Sequence, residues 1–496
     1  MKATVGKGER LGSYSPSRRT AVVCCGTGAH GAYHAGVLRG LHEAGVKIDL
    51  VAGQGVGAAA AALAAIDGAA RLWDSAGVWR TLPARGLYRW RPLIVAIGWV
   101  AALLLVVLLA PFMLLLAGLI VYPIGFLLSL LGMDAGSALI AWFSALLLTA
   151  FSSSYLPTIV PRLAMVVLVL LVAVAFTGVL VADWRAPVKR RADGRWWWRI
   201  IGSPLEAQSA RTLFASAIWN LIRGAAPSGL PSLDTIGRRY AEVLGENLGQ
   251  LGFRELVMVA TDLDARRDLV AALLREPFRR DFHAPRSGVD RRADVLDLAS
   301  TSSTNALDLL AASLTPPLAC DPALVTFASD SFWRGETHRL CDRPGSCSRL
   351  IEEVASAGVT QVIVVSAVSP SSAPHALTPP RLDLRHRLGE FLTASECAAL
   401  RDALELARVR FDAVFLICPP HNPVGPFDFA GAYDESSDRR QDLAELMERA
   451  CEDAYRQFIE PIVGASGEHL ARVSAAERAV PAGQANGHTL FDQIDT

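Results

Sequence analysis

The chain has 496 residues, of which 52% are hydrophobic, and its 48 basic and 48 acidic residues leave a formal net charge of zero. Without a basic excess, nucleic acid is not an expected partner. The mean hydropathy of +0.32 instead indicates segments that are embedded in a membrane. Eight cysteines show no pairing pattern, which predicts reduced thiols of a cytosolic domain rather than disulfides.

The first 88 residues predict a tail followed by a βαβα unit. Residues 1–18 form the tail and lack the apolar core of a cleavable signal. The apolar run 21–25 predicts a buried strand that leads into the glycine-rich turn Gly26-Thr27-Gly28-Ala29-His30-Gly31. The next predicted elements are a helix over 32–45, a strand over 48–52 and an alanine-rich helix over 58–66. Strands that alternate with helices in this order predict a right-handed parallel unit.

The second strand leads into the turn Gly53-Gln54-Gly55-Val56-Gly57. A nucleophile elbow has the pattern Gly-x-Ser-x-Gly at this place, and its tight strand-to-helix turn exposes the serine hydroxyl. Here the central residue is Gly55, which has no side-chain atom that could attack a carbonyl carbon. The pattern therefore predicts the scaffold of a hydrolase without its nucleophile.

Residues 89–184 are predicted to form a transmembrane insertion. From residue 92 to residue 182 the only charged side chains are Asp134 and Arg162, and one transmembrane helix needs about 20 apolar residues. Both flanks belong to one fold, so the number of crossings must be even. We favour four crossings, near 93–110, 112–131, 138–156 and 163–182. The alternative is two long crossings with re-entrant or interfacial pieces.

Basic residues flank the insertion on both sides, which is the pattern expected of cytoplasmic flanks. Tryptophans are interleaved with them, including the run 196–198, as in an interfacial aromatic belt. The sequence thus predicts an integral membrane protein, of the kind found in a bacterial inner membrane, with its α/β domain in the cytoplasm.

Residues 185–470 are predicted to continue the α/β domain, and residues 471–496 to form a flexible tail. Ser437 is expected to cap a helix that runs to about Ile459. The other predicted helices span 212–223, 233–248 and 388–409, and the predicted strands span 253–260 and 413–418.

Several blocks in chain order resemble the patatin-like phospholipase family, from about residue 19 to about residue 370. The blocks are the glycine loop 26–31 with the helix start 32–38, the strand 257–263, the segment 312–317, the segment Phe332-Trp333-Arg334-Gly335-Glu336 and the strand 363–365. The resemblance implies a patatin-like sheet-and-helix sandwich, an α/β fold that the membrane insertion interrupts. Thr27 and His30 depart from the family's glycine loop.

The family's catalysis uses a serine–aspartate dyad, with the aspartate as base. The resemblance places the serine at Gly55 and the aspartate at Arg334, which cannot accept a proton because it stays charged. Oxyanion or anion-binding donors are expected at Gly26, Thr27, Gly28, His30, Gly31 and Val56. With both dyad positions changed, no intact catalytic residue, cofactor or metal is expected.

Two functions of different classes follow from these observations. The first is a pseudoenzyme, a membrane-embedded patatin-like pseudo-lipase that binds membrane lipids or serves as a structural or regulatory subunit of a membrane assembly. Its partners would be lipids, other membrane subunits or a second copy. The second is an active phospholipase or lipid acyl hydrolase with a displaced nucleophile, for which Ser302, Ser303 and Ser313 are the candidates.

Overall fold

The computed structural model describes residues 13–81, 86–185, 202–226, 229–284, 291–329, 331–370, 383–420, 424–433 and 440–464. Residues 1–12 of the predicted N-terminal tail, the predicted C-terminal tail, the tryptophan run 196–198 and the predicted cap Ser437 lie outside these ranges, whereas residues 13–18 are described and Tyr14 among them is buried. The chain divides into two compact units. The first unit is Met1–Arg89 with Ala207–Thr496, and the second is Trp90–Glu206.

The first unit is a mixed α/β fold around a mostly parallel sheet of nine strands. The strands are β1 (Thr20–Gly26), β2 (Leu50–Gly55), β3 (Glu255–Asp262), β4 (Arg267–Leu273), β5 (Ala293–Asp297), β6 (Ala323–Thr326), β7 (Thr337–Cys341), β8 (Gln361–Ser366) and β9 (Ala413–Ile417). Two-residue strands also occur at Arg89–Trp90, Leu205–Glu206, Ala432–Tyr433 and Arg440–Gln441.

The strand order places β1 and β2 at the centre of the sheet. The main path is β9-β8-β1-β2-β3-β4-β5, and β7 pairs with both β3 and β6. The pairs from β9 to β3 are parallel, β4 is antiparallel to β3, and β7 pairs antiparallel with the last residues of β3. All seven residues of β1 are buried, because neighbouring strands and helices cover it.

The helices are α1 (His30–Glu43), α2 (Val56–Ala65), α3 (Pro92–Leu130), α4 (Asp134–Ala150), α5 (Leu156–Arg185), α6 (Gln208–Ile222), α7 (Leu233–Asn247), α8 (Ala306–Ser313), α9 (Cys347–Ser356), α10 (Leu384–Arg410) and α11 (Leu443–Ala454). Short helical segments lie at Ala70–Trp73, Phe278–His283, Thr301–Asn305 and Tyr455–Gly464. Asp442 caps α11, since its side chain accepts a hydrogen bond from the N–H of Glu445.

Helices α9 and α10 pack against one face of the sheet, where alternate residues of β1, β2, β3 and β8 join a common apolar core with them. Helix α1 packs closely on α11, since a Cβ placed on Gly36 would lie 2.0 Å from the carbonyl oxygen of Met447. The predicted βαβα order is therefore present. It brings the carboxyl ends of β1 and β2 side by side, with Gly26 opposite Gly55.

The second unit consists of α3, α4 and α5. Helix α3 and the segment Leu156–Gly178 of α5 are long and apolar enough to cross a membrane. In each of them, an apolar stretch of 18 residues is only 6% buried within the protein. Helix α4 is a shorter apolar helix of 17 residues.

Helix α3 continues through Pro111 and Pro123. The predicted separate helices 93–110 and 112–131 are thus one helix in this structure. Helix α5 begins at Leu156, earlier than predicted, and contains Pro161 and Arg162.

The two halves of α3 contact different helices of this unit. In its second half, the rings of Tyr122 and Phe143 of α4 meet edge to face at 5.6 Å. Gly136 of α4 approaches so closely that a Cβ there would lie 2.4 Å from the carbonyl oxygen of Gly125. In the first half, Leu93 lies against Gly178 of α5. The unit therefore contains two antiparallel packing arrangements that share α3.

Candidate functional site

The predicted elbow is a tight strand-to-helix turn between β2 and α2. Gly55 has φ +61° and ψ −133°, a strained conformation for residues with a side chain. A Cβ on Gly53 would lie 2.2 Å from the carbonyl oxygen of Gly57, and a Cβ on Gly57 would lie 2.0 Å from that of Cys24. The outer glycines are therefore needed for the close approach of the backbone, as the elbow pattern predicts.

No side chain fits at Gly55 without movement of its surroundings. A Cβ there would lie 2.3 Å from the carbonyl oxygen of Gly26 and 2.9 Å from Oδ2 of Asp342. The first contact is with backbone, which a side-chain rotation cannot relieve. The backbone at the end of β1 thus closes the space above the elbow.

The acidic residue beside Gly55 is Asp342, whereas Arg334, the residue predicted for the acid position, lies elsewhere. Arg334 lies exposed in the turn between β6 and β7, with φ +48°. Asp342 directly follows β7, which pairs with the end of β3 and so carries the carboxyl towards β2. The carboxyl is fully buried. A base is therefore present at a site that has no serine.

A buried polar cluster surrounds the Asp342 carboxyl. Gln54 Nε2 donates to Asp342 Oδ1 at 3.0 Å. The Thr27 hydroxyl lies 2.9 Å from Asp342 Oδ2 and 2.7 Å from Oε1 of Glu396 on α10. Sequence reasoning missed both acids, and no motif marks Glu396, which α10 brings to the site.

Burial dominates the electrostatics of this cluster. The pKa of Asp342 is raised to about 7, chiefly by desolvation and also by the negative charge of Glu396, while hydrogen bonds from Gln54 and Thr27 act in the opposite direction. On α1, burial lowers the pKa of His34 to about 3, so that this imidazole is neutral at pH 7. Burial also raises the pKa of the Cys24 thiol to about 12. The surroundings therefore disfavour charge on each of these groups.

His30 connects the glycine loop to a distant segment of the chain. Its Nδ1 accepts the N–H of Thr27 at 3.0 Å, and its Nε2–H donates to the carbonyl oxygen of Val424 at 2.8 Å. Nδ1 therefore has no proton to donate to Glu396, whose Oε2 lies 3.1 Å away. His30 is thus a neutral structural link between the glycine loop and residue 424.

Three consecutive N–H groups of the glycine loop have protein partners. Ala29 donates to the carbonyl oxygen of Pro426 at 2.8 Å, while His30 and Gly31 donate to Thr27 and Gly28, each at 3.3 Å. The expected oxyanion donors in this part of the loop are consequently occupied by protein oxygens.

Residues 424–429, which we call the covering segment, pack directly on the glycine loop. A Cβ on Gly28 would lie 2.0 Å from the carbonyl oxygen of Pro426. Phe427 and Phe429 are buried against the ring of Tyr88, with centroid distances of 5.7 and 5.8 Å. The cavity beside Gln54 and Glu396 has a volume of only about 10 Å³, enough for one water. The site as described holds no room for an acyl chain.

The candidate displaced nucleophiles do not lie on an elbow. Ser302 and Ser303 belong to the helical turn Thr301–Asn305, and Ser313 ends α8. The buried Ser313 hydroxyl donates to the carbonyl oxygens of Val259 and Leu309. The hydroxyl that contacts the buried Asp342 carboxyl is that of Thr27.

A second acidic and histidine cluster lies at the start of β7. His338 Nδ1 bonds to Asp262 Oδ2, and its Nε2 lies 3.0 Å from Oε2 of Glu336. Burial lowers the pKa of His338, but the hydrogen bonds with the two carboxylates outweigh it and raise the pKa overall. Within the described ranges, no group of three or more histidine, cysteine or acidic side chains is arranged to hold a metal ion.

Comparison with known proteins does not assign the chain to a family. No family model matches it, and no curated protein does. Among solved structures, the crystal structure of VipD from Legionella pneumophila matches with a TM-score of 0.31 and 13% identity, over 91% of this chain and 68% of that one. A similarity of this size carries no argument about function.

Proposed function

We propose that the protein is a membrane-embedded, patatin-like pseudo-lipase that binds lipid or acts as a structural or regulatory subunit of a membrane assembly. The observation that carries this proposal is the geometry at Gly55. The elbow turn and a buried acid, Asp342, are both in place, but the nucleophile is absent and its space is filled by the Gly26 carbonyl. A base without a nucleophile cannot form an acyl-enzyme.

The covering segment supports the same proposal. In an acyl hydrolase, free N–H donors must point at the developing oxyanion. Here the Pro426 carbonyl accepts the Ala29 N–H, so a protein oxygen takes the position that a substrate oxygen would need. The arrangement favours a closed site over a static anion receptor.

The membrane part of the proposal rests on the exposed apolar surface of the second unit. Trp99 is 74% exposed, Leu119 72% and Leu148 78%, and neighbouring residues of α3, α4 and α5 are similarly exposed. Contiguous apolar surface of this extent is costly in water and favourable in lipid. We infer that lipid surrounds these helices.

The continuity of α3 supports the alternative of two long crossings, by α3 and α5, with α4 as a re-entrant or interfacial piece. At about 1.5 Å per residue a 39-residue helix is about 58 Å long, nearly twice the hydrocarbon thickness of about 30 Å. Two crossings by the segment 92–130 would need a reversal of chain direction, and α3 is unbroken at both Pro111 and Pro123. The excess length of α3 then requires a strong tilt or a part that extends beyond the hydrocarbon layer. The orientation with the α/β unit in the cytoplasm rests on the basic flanks.

The second candidate function is a hydrolase with a displaced nucleophile, and one contact favours it. The Thr27 hydroxyl lies 2.9 Å from Asp342, the distance expected between a nucleophile and its base. Thr27 is only 1% exposed, however, and the covering segment closes the loop. This candidate therefore requires the segment to open.

Covalent capture separates the two candidates. The full-length protein in lipid nanodiscs is treated with a serine-reactive fluorophosphonate, and adducts are located by peptide mass spectrometry. The pseudo-lipase proposal expects no adduct on the peptides that contain Thr27, Ser302, Ser303 or Ser313. An adduct on Thr27 that disappears in Asp342→Asn would favour the hydrolase. Lipids that co-purify with the protein, identified by mass spectrometry, test the binding role.

A further inference from the structure

The two buried carboxyls at the closed site are bridged by one hydroxyl. Thr27 Oγ1 is 2.9 Å from Asp342 Oδ2 and 2.7 Å from Glu396 Oε1, which are both hydrogen-bond distances. A threonine hydroxyl has one proton and can donate to only one of the two acids. The other short contact therefore needs a proton from a carboxyl, which then donates to the hydroxyl oxygen.

No described cation neutralises this pair. His30 is neutral, because its Nδ1 accepts from Thr27 and its Nε2–H donates to Val424. The guanidinium of Arg343 is directed at Asp268, at 2.6 Å, although its backbone N–H faces Asp342. The remaining polar or titratable groups near the pair are Cys25, Cys341, Cys347, His34, Gln54 and Tyr88. Two like charges in contact with one hydroxyl in this setting would be costly.

We propose that Asp342 and Glu396 share one proton through Thr27, and that this proton is a latch that holds the covering segment closed on the glycine loop. The latch connects directly to the segment. Thr27 is held by His30, which binds the Val424 carbonyl, and the adjacent Ala29 binds the Pro426 carbonyl. The proposal concerns how the site opens and does not depend on whether the open site is catalytic.

Loss of the shared proton leaves two negative groups that compete for one donor. The Thr27 contact to one of them is then repulsive, and the glycine loop gains free energy by moving to admit water. Because the loop and the covering segment share hydrogen bonds, both are released together. The site is closed at low pH and opens as the pH rises towards the raised pKa of the Asp342 carboxyl.

Hydrogen exchange on the full-length protein in nanodiscs tests the latch. Protection of peptides that contain residues 26–32 and 424–429 is measured from pH 5 to pH 9 and corrected for intrinsic exchange. We expect the opening equilibrium of both peptides to rise by up to about tenfold per pH unit as the pH approaches the pKa of the closed state from below, and to level off above it, as release of one proton on opening requires. Asp342→Asn and Glu396→Gln replace a carboxyl by an amide that can donate permanently, so each should keep both peptides protected at high pH.

Asp453→Asn is the matched control. Asp453 is also buried and accepts from one hydroxyl, that of Tyr33 at 3.0 Å, with no second carboxyl at that hydroxyl among the described residues. This variant should open with pH as the wild type does. Infrared spectra of the wild type provide a second measurement, with the band of a protonated carboxyl present at pH 6 and removed by either latch variant. Protection of the two peptides that does not change with pH, or the absence of that band, would overturn the proposal.

Discussion

Adding a methyl group at the elbow should destabilise the protein far more than adding one at a comparable glycine elsewhere. In Gly55→Ala the new Cβ lies 2.3 Å from the Gly26 carbonyl oxygen and 2.9 Å from Asp342 Oδ2. Gly45 is the matched control, because it has a similar φ of +64° and nothing within 4 Å of its Cβ position. The two substitutions share the conformational cost and differ in the steric one.

The magnitudes follow from these two contributions. An alanine at positive φ costs about 1–2 kcal/mol, and this is all that Gly45→Ala should lose. Overpacking against rigid surroundings adds about 1–3 kcal/mol, so Gly55→Ala should lose about 2–5 kcal/mol in the free energy of unfolding. Urea unfolding of the full-length protein in detergent, followed by tryptophan fluorescence, measures both. Trp79 is a local reporter, since it is buried against Gly31 of the glycine loop. Equal losses in the two variants would refute the closed geometry at Gly55.

Three further predictions concern the acid, the turn and the membrane unit. The pKa of Asp342 is raised to about 7 in the folded protein, against about 3.9 in the unfolded chain. The proton on this carboxyl therefore stabilises the fold most below the unfolded pKa, and this stabilisation is lost as the pH rises to the folded pKa. Wild type should therefore lose about 2–3 kcal/mol relative to Asp342→Asn between pH 5 and pH 8 in urea unfolding, and parallel pH profiles would contradict this. Arg334→Ala should change stability by less than about 0.5 kcal/mol and leave retention on anionic lipid vesicles unchanged, because the side chain is exposed and away from Gly55. A loss of retention would contradict this and assign an anion-binding role to Arg334. Cysteines introduced at Ser75 and Ser209, in a background without other accessible thiols, should be labelled from the same side of the membrane, and labelling from opposite sides would exclude an even number of crossings.

The elbow could be predicted from sequence because its requirements are local. The glycines at 53 and 57 are needed for contacts with residues of the same turn or of the adjacent strand, and their spacing alone indicates the geometry. The strand run of β1 was equally clear, because a strand buried on both faces is continuously apolar.

The acid could not be located in the same way. The segment around Arg334 fits the family's pattern through Gly335, but that glycine has φ +80° because it forms a turn before β7. Asp342 is placed beside Gly55 only by the pairing of β7 with β3, and Glu396 only by the packing of α10. The covering segment, nearly 400 residues from the glycine loop, contacts it through backbone carbonyls that leave no mark in the sequence.

Turnover by the purified protein tests the central claim, that the scaffold is present and the hydrolysis is not. Release of fatty acid from phospholipid is measured with the full-length wild type in nanodiscs at pH 6 and pH 9, beside Thr27→Val and Asp342→Asn prepared in the same way. The account predicts that all three preparations release fatty acid at the rate of empty nanodiscs at both pH values. Wild-type release above that rate, abolished in both variants, would contradict it.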